Sequence, residues 1–303
     1  MKTFIIVLIV ILLGVGAYLI FSPAEEGVDR GSENVTTEGD ETSNLSANGE
    51  EDEAEQKGET VIGQSVDGHD IVAYHYGQGD TEILFVGGIH GGYAWNTSLV
   101  AFELMDYLKR DQTVIPENVR VTVVPVLNPD GLEEVMGTTG RFTQAEALGL
   151  KVNTTAGRFN ANGVDLNRNF DCQWQSTGTW RNTPVDGGDE PFSEPESQAI
   201  KNYVTANQPK AVIVWYSAAG GVFASACDND VLAETNILTN LYAKAAGYPA
   251  YEEFDFYEIT GDMVNWLAKE NIPAISVLLS SHEDIEWSKN RSGVIAVLKH
   301  YAR

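Results

Sequence analysis

A single histidine, His90, lies among glycines in the stretch GGIHGGYAWN, which follows the apolar run TEILFV. Open α/β sheets bind ligands at the carboxyl ends of their strands, so a histidine in this place suits a metal site. A zinc site built on it also needs a carboxylate three or four residues later and a second histidine elsewhere. Those near positions hold Tyr93 and Ala94, and neither supplies a carboxylate.

A second group of residues suits the binding of a carboxylate. The stretch RFNANGVDLNRNFD contains Arg158, Asn167 and Arg168. A guanidinium fork beside an amide can hold a terminal carboxylate through paired hydrogen bonds. The alternative is that Asn167 and Arg168 brace a long loop through backbone carbonyls.

Strands and helices alternate along the chain after Thr60. Short apolar and β-branched runs predict strands at residues 70–76, 81–88, 119–126, 211–217 and 273–280. Amphipathic stretches predict helices at residues 97–110, 193–207, 231–247, 261–271 and 287–302. Several strands are apolar on both faces, which is typical of strands covered by helices on two sides. The pattern predicts one α/β domain with a largely parallel sheet.

Two helix ends and one connection carry further signals. Ser193 with Glu196 predicts a capping box, and Gly247 predicts a helix stop. The segment from about Asn128 to Pro191 is too long for a plain connection. A connection of that size in a compact domain is usually functional.

The first sixty residues differ in composition from the rest of the chain. Residues 4–21 form an uncharged apolar run that is just long enough to cross a bilayer. We therefore assign residues 1–22 to a membrane anchor, or alternatively to a cleaved signal segment. Residues 23–59 form an acidic linker with too few apolar side chains to fold. Residues 60–303 form the folded domain.

The net charge and the cysteines limit partners and compartment. A formal net charge of -25 argues against nucleic acids and anionic membrane surfaces as partners. Cys172 and Cys227 lie in the folded part of a chain that is expected to face an oxidising compartment. They are consistent with one disulfide or with two buried thiols.

Six stretches, in chain order, resemble the zinc carboxypeptidases of the carboxypeptidase A type. They are GGIHGG, VPVLNPDG, RFNANGVDLNRNFD, PFSEPESQAI, YEITGDMVNW and IPAISVLLSSHEDIEW. The resemblance covers residues 60–303, and NPDG followed by GVDLNRNF is its most specific part. It implies a mixed, mainly parallel eight-stranded sheet between helices.

The resemblance also implies a zinc site, which the sequence only partly matches. The family holds zinc with a histidine and a glutamate from one motif and a second histidine after a later strand, and a further glutamate acts as general base. His90 matches the first histidine, whereas Tyr93 or Ala94 takes the place of the glutamate. His90 is thus the one metal ligand that the resemblance predicts.

The second ligand and the base are replaced as well. Tyr216 takes the place of the second histidine, and Leu278, or Leu279 with a one-residue shift, that of the general base. A phenol is a poor zinc ligand at neutral pH because its reference pKa is about 10. A leucine cannot move a proton. A rebuilt metal site would have to use His282, with Glu283 or Asp284.

The substrate side of the resemblance is better preserved. Arg158 matches the family's carbonyl-polarising arginine, and Asn167 with Arg168 matches the pair that binds the substrate's terminal carboxylate. Tyr257, nine residues before Trp266, matches the tyrosine that closes over the substrate. The resemblance further places both cysteines near this pocket, and we therefore predict that they form a disulfide.

These observations favour a single-pass membrane protein whose carboxypeptidase-like domain lies outside the cytoplasm. We expect it to bind the carboxyl end of a peptide or cell-wall peptide without hydrolysing it and without a cofactor. An active zinc metallocarboxypeptidase with a rebuilt metal site is the first alternative. A structural or assembly module with an unused pocket is the second.

Overall fold

The computed structural model of the protein describes residues 58–303. The predicted membrane segment at residues 4–21 and almost all of the predicted acidic linker lie outside this range. Within residues 58–303, no helix combines the length and apolarity needed to cross a membrane.

Ten strands form the two sheets of this part of the chain. Eight of them form one sheet: β1 (Glu59–Gln64), β2 (Asp70–Tyr76), β3 (Thr81–Val86), β4 (Val119–Val124), β7 (Ala211–Ser217), β8 (Gly221–Ala224), β9 (Ala250–Tyr251) and β10 (Ala274–Leu279). The other two form a separate hairpin: β5 (Thr177–Trp180) and β6 (Thr183–Asp186).

Seven α-helices connect or cover the strands in residues 58–303. They are α1 (Trp95–Arg110), α2 (Pro129–Met136), α3 (Gln144–Gly149), α4 (Pro195–Asn207), α5 (Ala233–Ala246), α6 (Met263–Lys269) and α7 (Trp287–His300). Short 3₁₀ turns lie at Gly91–Ala94, Gln112–Val114, Ala156–Arg158 and Leu166–Arg168.

The large sheet has the order β1-β2-β4-β3-β7-β10-β8-β9. Its centre is parallel, since β3 pairs in parallel with both β4 and β7, and β7 pairs in parallel with β10. Antiparallel pairs flank this centre at β1–β2, β2–β4 and β10–β8. The predicted α/β fold, with a mainly parallel eight-stranded sheet between helices, is therefore confirmed.

The core has two halves, one on each face of the sheet. Successive side chains of β3 alternate between them: Ile83 and Phe85 pack with α1, α5 and α7, whereas Leu84 and Val86 pack with α4 and α6. A strand covered on both sides needs apolar residues at every position, which explains the uninterrupted run in TEILFV.

One of the two predicted helix signals is wrong. Helix α4 begins at Pro195 with Glu194 at the N-cap, and no side chain caps it. Glu196 instead accepts hydrogen bonds from the Val66 backbone N–H and the Asn160 amide. These contacts with distant loops replace the local capping box. The stop at Gly247 is confirmed, with a left-handed backbone at φ 73°.

The long segment between Asn128 and Pro191 contains its own structure. It includes α2, α3, two 3₁₀ turns and the β5–β6 hairpin. The predicted disulfide is confirmed, since Cys172 and Cys227 are bonded with their Cα atoms 5.9 Å apart. Cys172 lies two residues after the NRNF motif of this segment, and Cys227 lies in the loop after β8.

Candidate functional site

Three parallel strands bring the candidate site residues together at their carboxyl ends. His90 follows β3, while Tyr216 and Leu278 lie at the ends of β7 and β10. Tyr216 and Leu278 are direct neighbours in the sheet register. The His90 and Tyr216 rings are 5.9 Å apart between centroids. We call His90, Tyr93, Tyr216 and Leu278 the histidine corner.

A cavity of about 850 Å³ opens above these strand ends. Its lining includes every site residue that the sequence predicted: His90, Arg158, Asn167, Arg168 and Tyr257. Arg158, Asn167 and Arg168 form one side of it, and we call them, with Asp165, the arginine wall. The structure therefore gathers the predicted residues in one place, and their contacts decide what each can do.

A glycine makes the turn that carries His90 possible. Gly91 has a left-handed backbone at φ 39°, and a Cβ there would lie 2.6 Å from the carbonyl carbon of Gly131. Only glycine fits so close an approach of two backbones. The turn packs against α2 and directs His90 into the cavity region.

The His90 ring is buried, with 5% of the residue exposed. Its Nε2 lies 3.4 Å from Asp165 Oδ1, and neither ring nitrogen has a hydrogen-bond partner within residues 58–303. Burial, together with the positive charge of Arg158, lowers the pKa of His90 to about 4. The ring is therefore a neutral imidazole at neutral pH.

Tyr93 lies inside a group of aromatic and cationic side chains. The Tyr93 and Trp180 rings pack edge to face with 5.0 Å between their centroids, and the Tyr93 and His282 centroids are 4.5 Å apart. The Arg158 guanidinium lies 5.7 Å from the Tyr93 centroid and 4.5 Å from that of Trp180. A phenol ring packed in this group thus occupies the chain position where the resemblance places a glutamate.

Tyr216 donates a hydrogen bond of 3.2 Å from its hydroxyl to the amide oxygen of Asn167. Burial, and secondarily the charge of Asp262, raises the pKa of Tyr216 well above its usual value. The phenol therefore stays protonated at neutral pH. Next to it, Leu278 is 8% exposed and presents only hydrocarbon to the cavity.

Arg158 and Asp165 form a buried ion pair in the arginine wall. Arg158 Nε and Nη2 donate to Asp165 Oδ2 at 2.9 and 2.7 Å. Burial opposes ionisation of Asp165, yet the Arg158 charge prevails and holds the pKa of Asp165 well below its usual range. Asp165 thus neutralises Arg158 and also approaches His90.

Arg168 is 1% exposed and makes three hydrogen bonds to backbone carbonyls. Its Nε and Nη2 donate to Thr179 O at 3.2 and 2.7 Å, and Nη1 donates to Asn167 O at 2.6 Å. These bonds fix the β5 strand, as the bracing alternative expects. A guanidinium has five donors, so two N–H groups of Arg168 are left over.

Tyr257 lies on the rim of the cavity in the segment YEEFDFYE, residues 251–258. Its ring packs against Phe254 at 5.0 Å. Gly261, just after this segment, accepts from the Phe170 N–H at 2.9 Å and donates to Cys172 O at 2.7 Å. Its φ is 63°, and a Cβ there would lie 2.3 Å from Arg168 O. The rim is thus attached to the backbone of the arginine wall.

The comparison with known proteins identifies the family. A profile of the family described as zinc carboxypeptidase matches residues 53–284, more than half of the chain. The chain belongs to the zinc carboxypeptidase family.

Two curated relatives are named as a murein peptide amidase and a gamma-D-glutamyl-L-diamino acid endopeptidase. Murein peptide amidase A of Escherichia coli K12 is 30% identical over 203 residues, which cover 64% of this chain and 69% of that protein. Gamma-D-glutamyl-L-diamino acid endopeptidase 1 of Lysinibacillus sphaericus is 26% identical over 221 residues, 65% of this chain and 54% of that protein.

Solved structures share the fold. The murein-tripeptide amidase of Escherichia coli O157 superposes with a TM-score of 0.57 at 23% identity, covering 81% of this chain and 93% of that one. Bovine thrombin-activatable fibrinolysis inhibitor gives a TM-score of 0.64 at 15% identity, covering 80% and 89%. At these identities the likeness concerns the fold alone.

The zinc that the family name implies does not fit the histidine corner of this zinc carboxypeptidase family member. The neutral His90 imidazole has no hydrogen-bond partner within residues 58–303 and could bind a metal. The other positions of the corner hold the protonated phenol of Tyr216 and the side chains of Tyr93 and Leu278, none of which is a carboxylate. In the part of the chain that the structure describes, no group of three or more His, Cys, Asp or Glu side chains could hold a metal ion. His282 packs on Tyr93 and forms no such group with Glu283 or Asp284.

Sequence reasoning did not single out Asp165, Trp180, Arg181 and Asp262. Asp165 and Asp262 lie inside the motifs GVDLNRNF and YEITGDMVNW. A buried arginine needs a carboxylate partner, so the arginines of the motif could have pointed to Asp165. Arg181 is an exposed cation in the β5–β6 turn that lines the cavity and makes no salt bridge within residues 58–303. No local pattern marked the hairpin residues.

Proposed function

We propose that this zinc carboxypeptidase family member binds the carboxyl ends of peptides, including cell-wall peptides, without hydrolysing them. The observation that carries the proposal is the contrast within one cavity. One side presents guanidinium groups, and the other presents a phenol and a leucine where the family's zinc ligand and general base belong.

The chemistry of hydrolysis supports the non-hydrolytic part. Peptide hydrolysis in this family needs a metal with an open position and a base that takes a proton from water. Leu278 has no titratable group, and the Tyr216 hydroxyl is protonated and hydrogen-bonded to Asn167. His90 supplies only one of the three protein ligands that a catalytic zinc site uses.

The remaining donors support carboxylate binding. Arg168 has two N–H groups left, and the amide oxygen of Asn167 accepts from Tyr216 and the Met263 backbone, which leaves its NH₂ group for a ligand. Arg181 adds a cation at the cavity mouth. Because Asp165 neutralises Arg158, we assign Arg168 and Asn167 the direct contact with the carboxylate. The name of one relative, a murein peptide amidase, favours a cell-wall peptide as ligand.

The second possibility is an active zinc metallocarboxypeptidase, which family membership and the His90 imidazole, without a partner within residues 58–303, favour. Metal content separates it from the proposal. The full chain, purified in detergent and dialysed against zinc-free buffer at neutral pH, should contain far less than one zinc per molecule. It should also release no amino acid from peptides or muropeptides with added zinc. One zinc per chain together with hydrolysis would overturn the proposal. The double variant Tyr93→Glu, Tyr216→His should bind zinc more tightly than the native chain.

Calorimetry with paired peptides tests the binding part. A free-acid peptide should bind the full chain with micromolar to millimolar affinity, and its carboxyl-amidated form should bind about tenfold or more weakly. Arg168→Lys keeps the charge but loses the fork, so it should remove most of this difference. Arg181→Ala should weaken the free-acid peptide less. Arg110→Ala, an exposed arginine at the end of α1 that does not line the cavity, serves as the control.

The three hydrogen bonds of Arg168 to backbone carbonyls favour a second candidate, a structural module with an unused cavity. Equal affinity for the free-acid and amidated peptides would support this candidate. So would an unchanged ratio in Arg168→Lys when thermal unfolding shows that the variant is folded.

We propose in addition that residues 4–21 anchor the chain in the cell membrane, with the domain outside the cytoplasm. The apolar run and the disulfide between Cys172 and Cys227 support this, because disulfides persist in oxidising compartments. An alkaline phosphatase fused to the carboxyl terminus should be active and should sediment with membranes. A soluble or inactive fusion would contradict the anchor or its orientation.

A further inference from the structure

A short surface stretch at the end of α3 exposes apolar side chains for which the fold and the cavity give no reason. Leu148, Leu150 and Val152 are 52%, 38% and 54% exposed. Seven large apolar side chains of residues 58–303 are exposed, and three of them lie in this one stretch. Large apolar groups that cluster at a protein surface usually mark a place that something covers.

The same stretch carries an acceptor motif for N-linked glycans. Asn153 directly follows Val152 and is exposed, and Thr155 completes the motif Asn-x-Thr. Asn153 Oδ1 accepts a hydrogen bond from the Thr155 N–H at 3.0 Å. This bond uses the oxygen of the amide and not its nitrogen, which is the atom that would carry a glycan.

The other copies of the motif in residues 58–303 are closed to modification. Asn96 and Asn290 also begin Asn-x-Ser sequences, but both are fully buried. Each donates two hydrogen bonds from Nδ2 to backbone carbonyls, at 2.8 and 2.9 Å for Asn96 and at 3.1 and 3.2 Å for Asn290. Asn34 and Asn44 begin the motif outside the described residues. Among residues 58–303 the fold therefore leaves Asn153 as the accessible acceptor.

We propose that Asn153 carries an N-linked glycan that lies over Leu148, Leu150 and Val152. This inference rests on the proposed location of the domain outside the cytoplasm, because N-linked glycans are carried by surface loops of chains on that side of the membrane. It does not depend on what the cavity binds.

The modification is a glycosyl transfer from an oligosaccharide that is linked to a lipid through phosphate, catalysed by a membrane transferase. A bond forms between Asn153 Nδ2 and the anomeric carbon of the first sugar. The bond between that carbon and the phosphate oxygen breaks, the lipid phosphate leaves, and the amide nitrogen gives up one proton. Nothing is oxidised or reduced. The product places a bulky, hydrated group one residue from Val152.

The distribution of charge supports a glycan as the cover. The chain as a whole has a formal net charge of -25, so carboxylates hydrate much of its surface. The stretch from Ala147 to Gly157 contains no carboxylate, and Lys151 is its one charged residue. A glycan on Asn153 supplies the hydration that acidic side chains give elsewhere.

Glycopeptide mass spectrometry on the full chain, purified from its native membrane, tests the inference. The peptide with Asn153 should carry a glycan mass, and the peptides with Asn96 and Asn290 should carry none. Thr155→Ala should abolish the glycan mass at Asn153, whereas Thr155→Ser should retain it. Thr154→Ala is the matched control, since it changes the neighbouring threonine and keeps the motif. The Thr155 side chain makes no capping hydrogen bond, so its variants should fold.

Trypsin measures the shielding of the apolar side chains. Lys151 is exposed and lies two residues before Asn153, so an attached glycan should slow cleavage after Lys151 in the folded chain. Cleavage there should be several-fold faster in Thr155→Ala than in the native chain or in Thr154→Ala. Cleavage after Arg181, an exposed residue in the β5–β6 turn, should be equal in all three.

The other outcomes decide against the inference in distinct ways. An unmodified Asn153 in a chain whose phosphatase fusion is active would overturn it and leave the proposed location standing. An inactive fusion would overturn the location and the inference together. Glycans on Asn96 or Asn290 would show that exposure in the fold does not select the site. A glycan on Asn153 with equal cleavage after Lys151 would overturn the shielding and point to a protein or a membrane surface as the cover.

Discussion

The histidine corner and the arginine wall border the same cavity, but their side chains depend on the rest of the protein to different degrees. In the arginine wall, Arg158 is 3% exposed and pairs with Asp165, which is fully buried. Arg168 in turn fixes β5 through Thr179 O. In the histidine corner, Leu278 contributes packing alone, and the Tyr216 hydroxyl makes a single hydrogen bond.

The difference shows that a family motif can be retained for two distinct physical reasons. Removing Asp165 would leave a buried guanidinium without its counter-ion, so this position holds the fold together whether or not a ligand binds. A zinc ligand or a general base serves the reaction, and an aromatic or aliphatic side chain can fill its volume. The arginine wall therefore has a structural role that does not depend on ligand binding.

The largest effect is expected in the arginine wall. Asp165→Asn should lower the free energy of unfolding by about 3 to 5 kcal/mol, because it leaves Arg158 buried without a charge partner. Urea denaturation of the full chain at neutral pH measures this. The control is Asp106→Asn, which removes an exposed pair with Arg141 and should change stability by less than about 1 kcal/mol. Similar losses in both variants would show that the buried pair does not hold the wall.

The disulfide should make the next largest contribution to the free energy of unfolding. Replacing Cys172 and Cys227 by serine should lower the free energy of unfolding by about 2 to 4 kcal/mol, since the bond closes a loop with a sequence separation of 55. The native chain should lose the same amount in reductant, whereas the double variant should not respond to it. An unchanged denaturation midpoint in reductant would contradict the prediction.

Asp262 should have the opposite effect, because its pKa in the folded chain is raised from 3.8 to about 6. The folded state binds this proton more tightly than the unfolded state, so the ionised group destabilises the fold at pH 7 and above. Asp262→Asn should therefore stabilise the chain at pH 8, by up to about 3 kcal/mol. The gain should shrink as the pH falls through 6 and vanish below about 4. Urea midpoints across this range test it, and a gain independent of pH would show that charge is not the cause.

The smallest effect is expected in the histidine corner. Tyr216→Phe removes only the hydroxyl that donates to Asn167 Oδ1, and this oxygen keeps its bond from the Met263 N–H. Thermal denaturation should show a loss of about 1 kcal/mol. A loss as large as that of Asp165→Asn would remove the distinction between the two sides of the cavity.

Local pattern was sufficient for most of the fold. The five predicted strands and five predicted helices are all present, because apolar periodicity reflects which faces of an element are buried. Some elements were not predicted. Strands β8 and β9 are short, so they carry little apolar periodicity. The β5–β6 hairpin and α2 lie in a segment that is held by contacts with other parts of the chain, such as the bond from Arg168 to Thr179 O in β5. The resemblance alone placed Tyr93, Tyr216 and Leu278 at the family's zinc-ligand and base positions, because that assignment needs only residue type and order along the chain.

The sequence by itself determined the fold class and the family, and it motivated our proposal that the domain does not hydrolyse peptides. Tertiary structure alone decided which partner each charged group has. Asp165 approaches both Arg158 and His90, Arg168 donates to Thr179 O, and Glu196 accepts from Asn160. Asp262 Oδ1 is buried without a hydrogen-bond partner within residues 58–303. These contacts link residues from separate turns and strands whose approach depends on the path of the long segment after β4. No pattern within a short window encodes that path, so the contacts of the arginines and the burial of Asp262 emerged only from the folded chain.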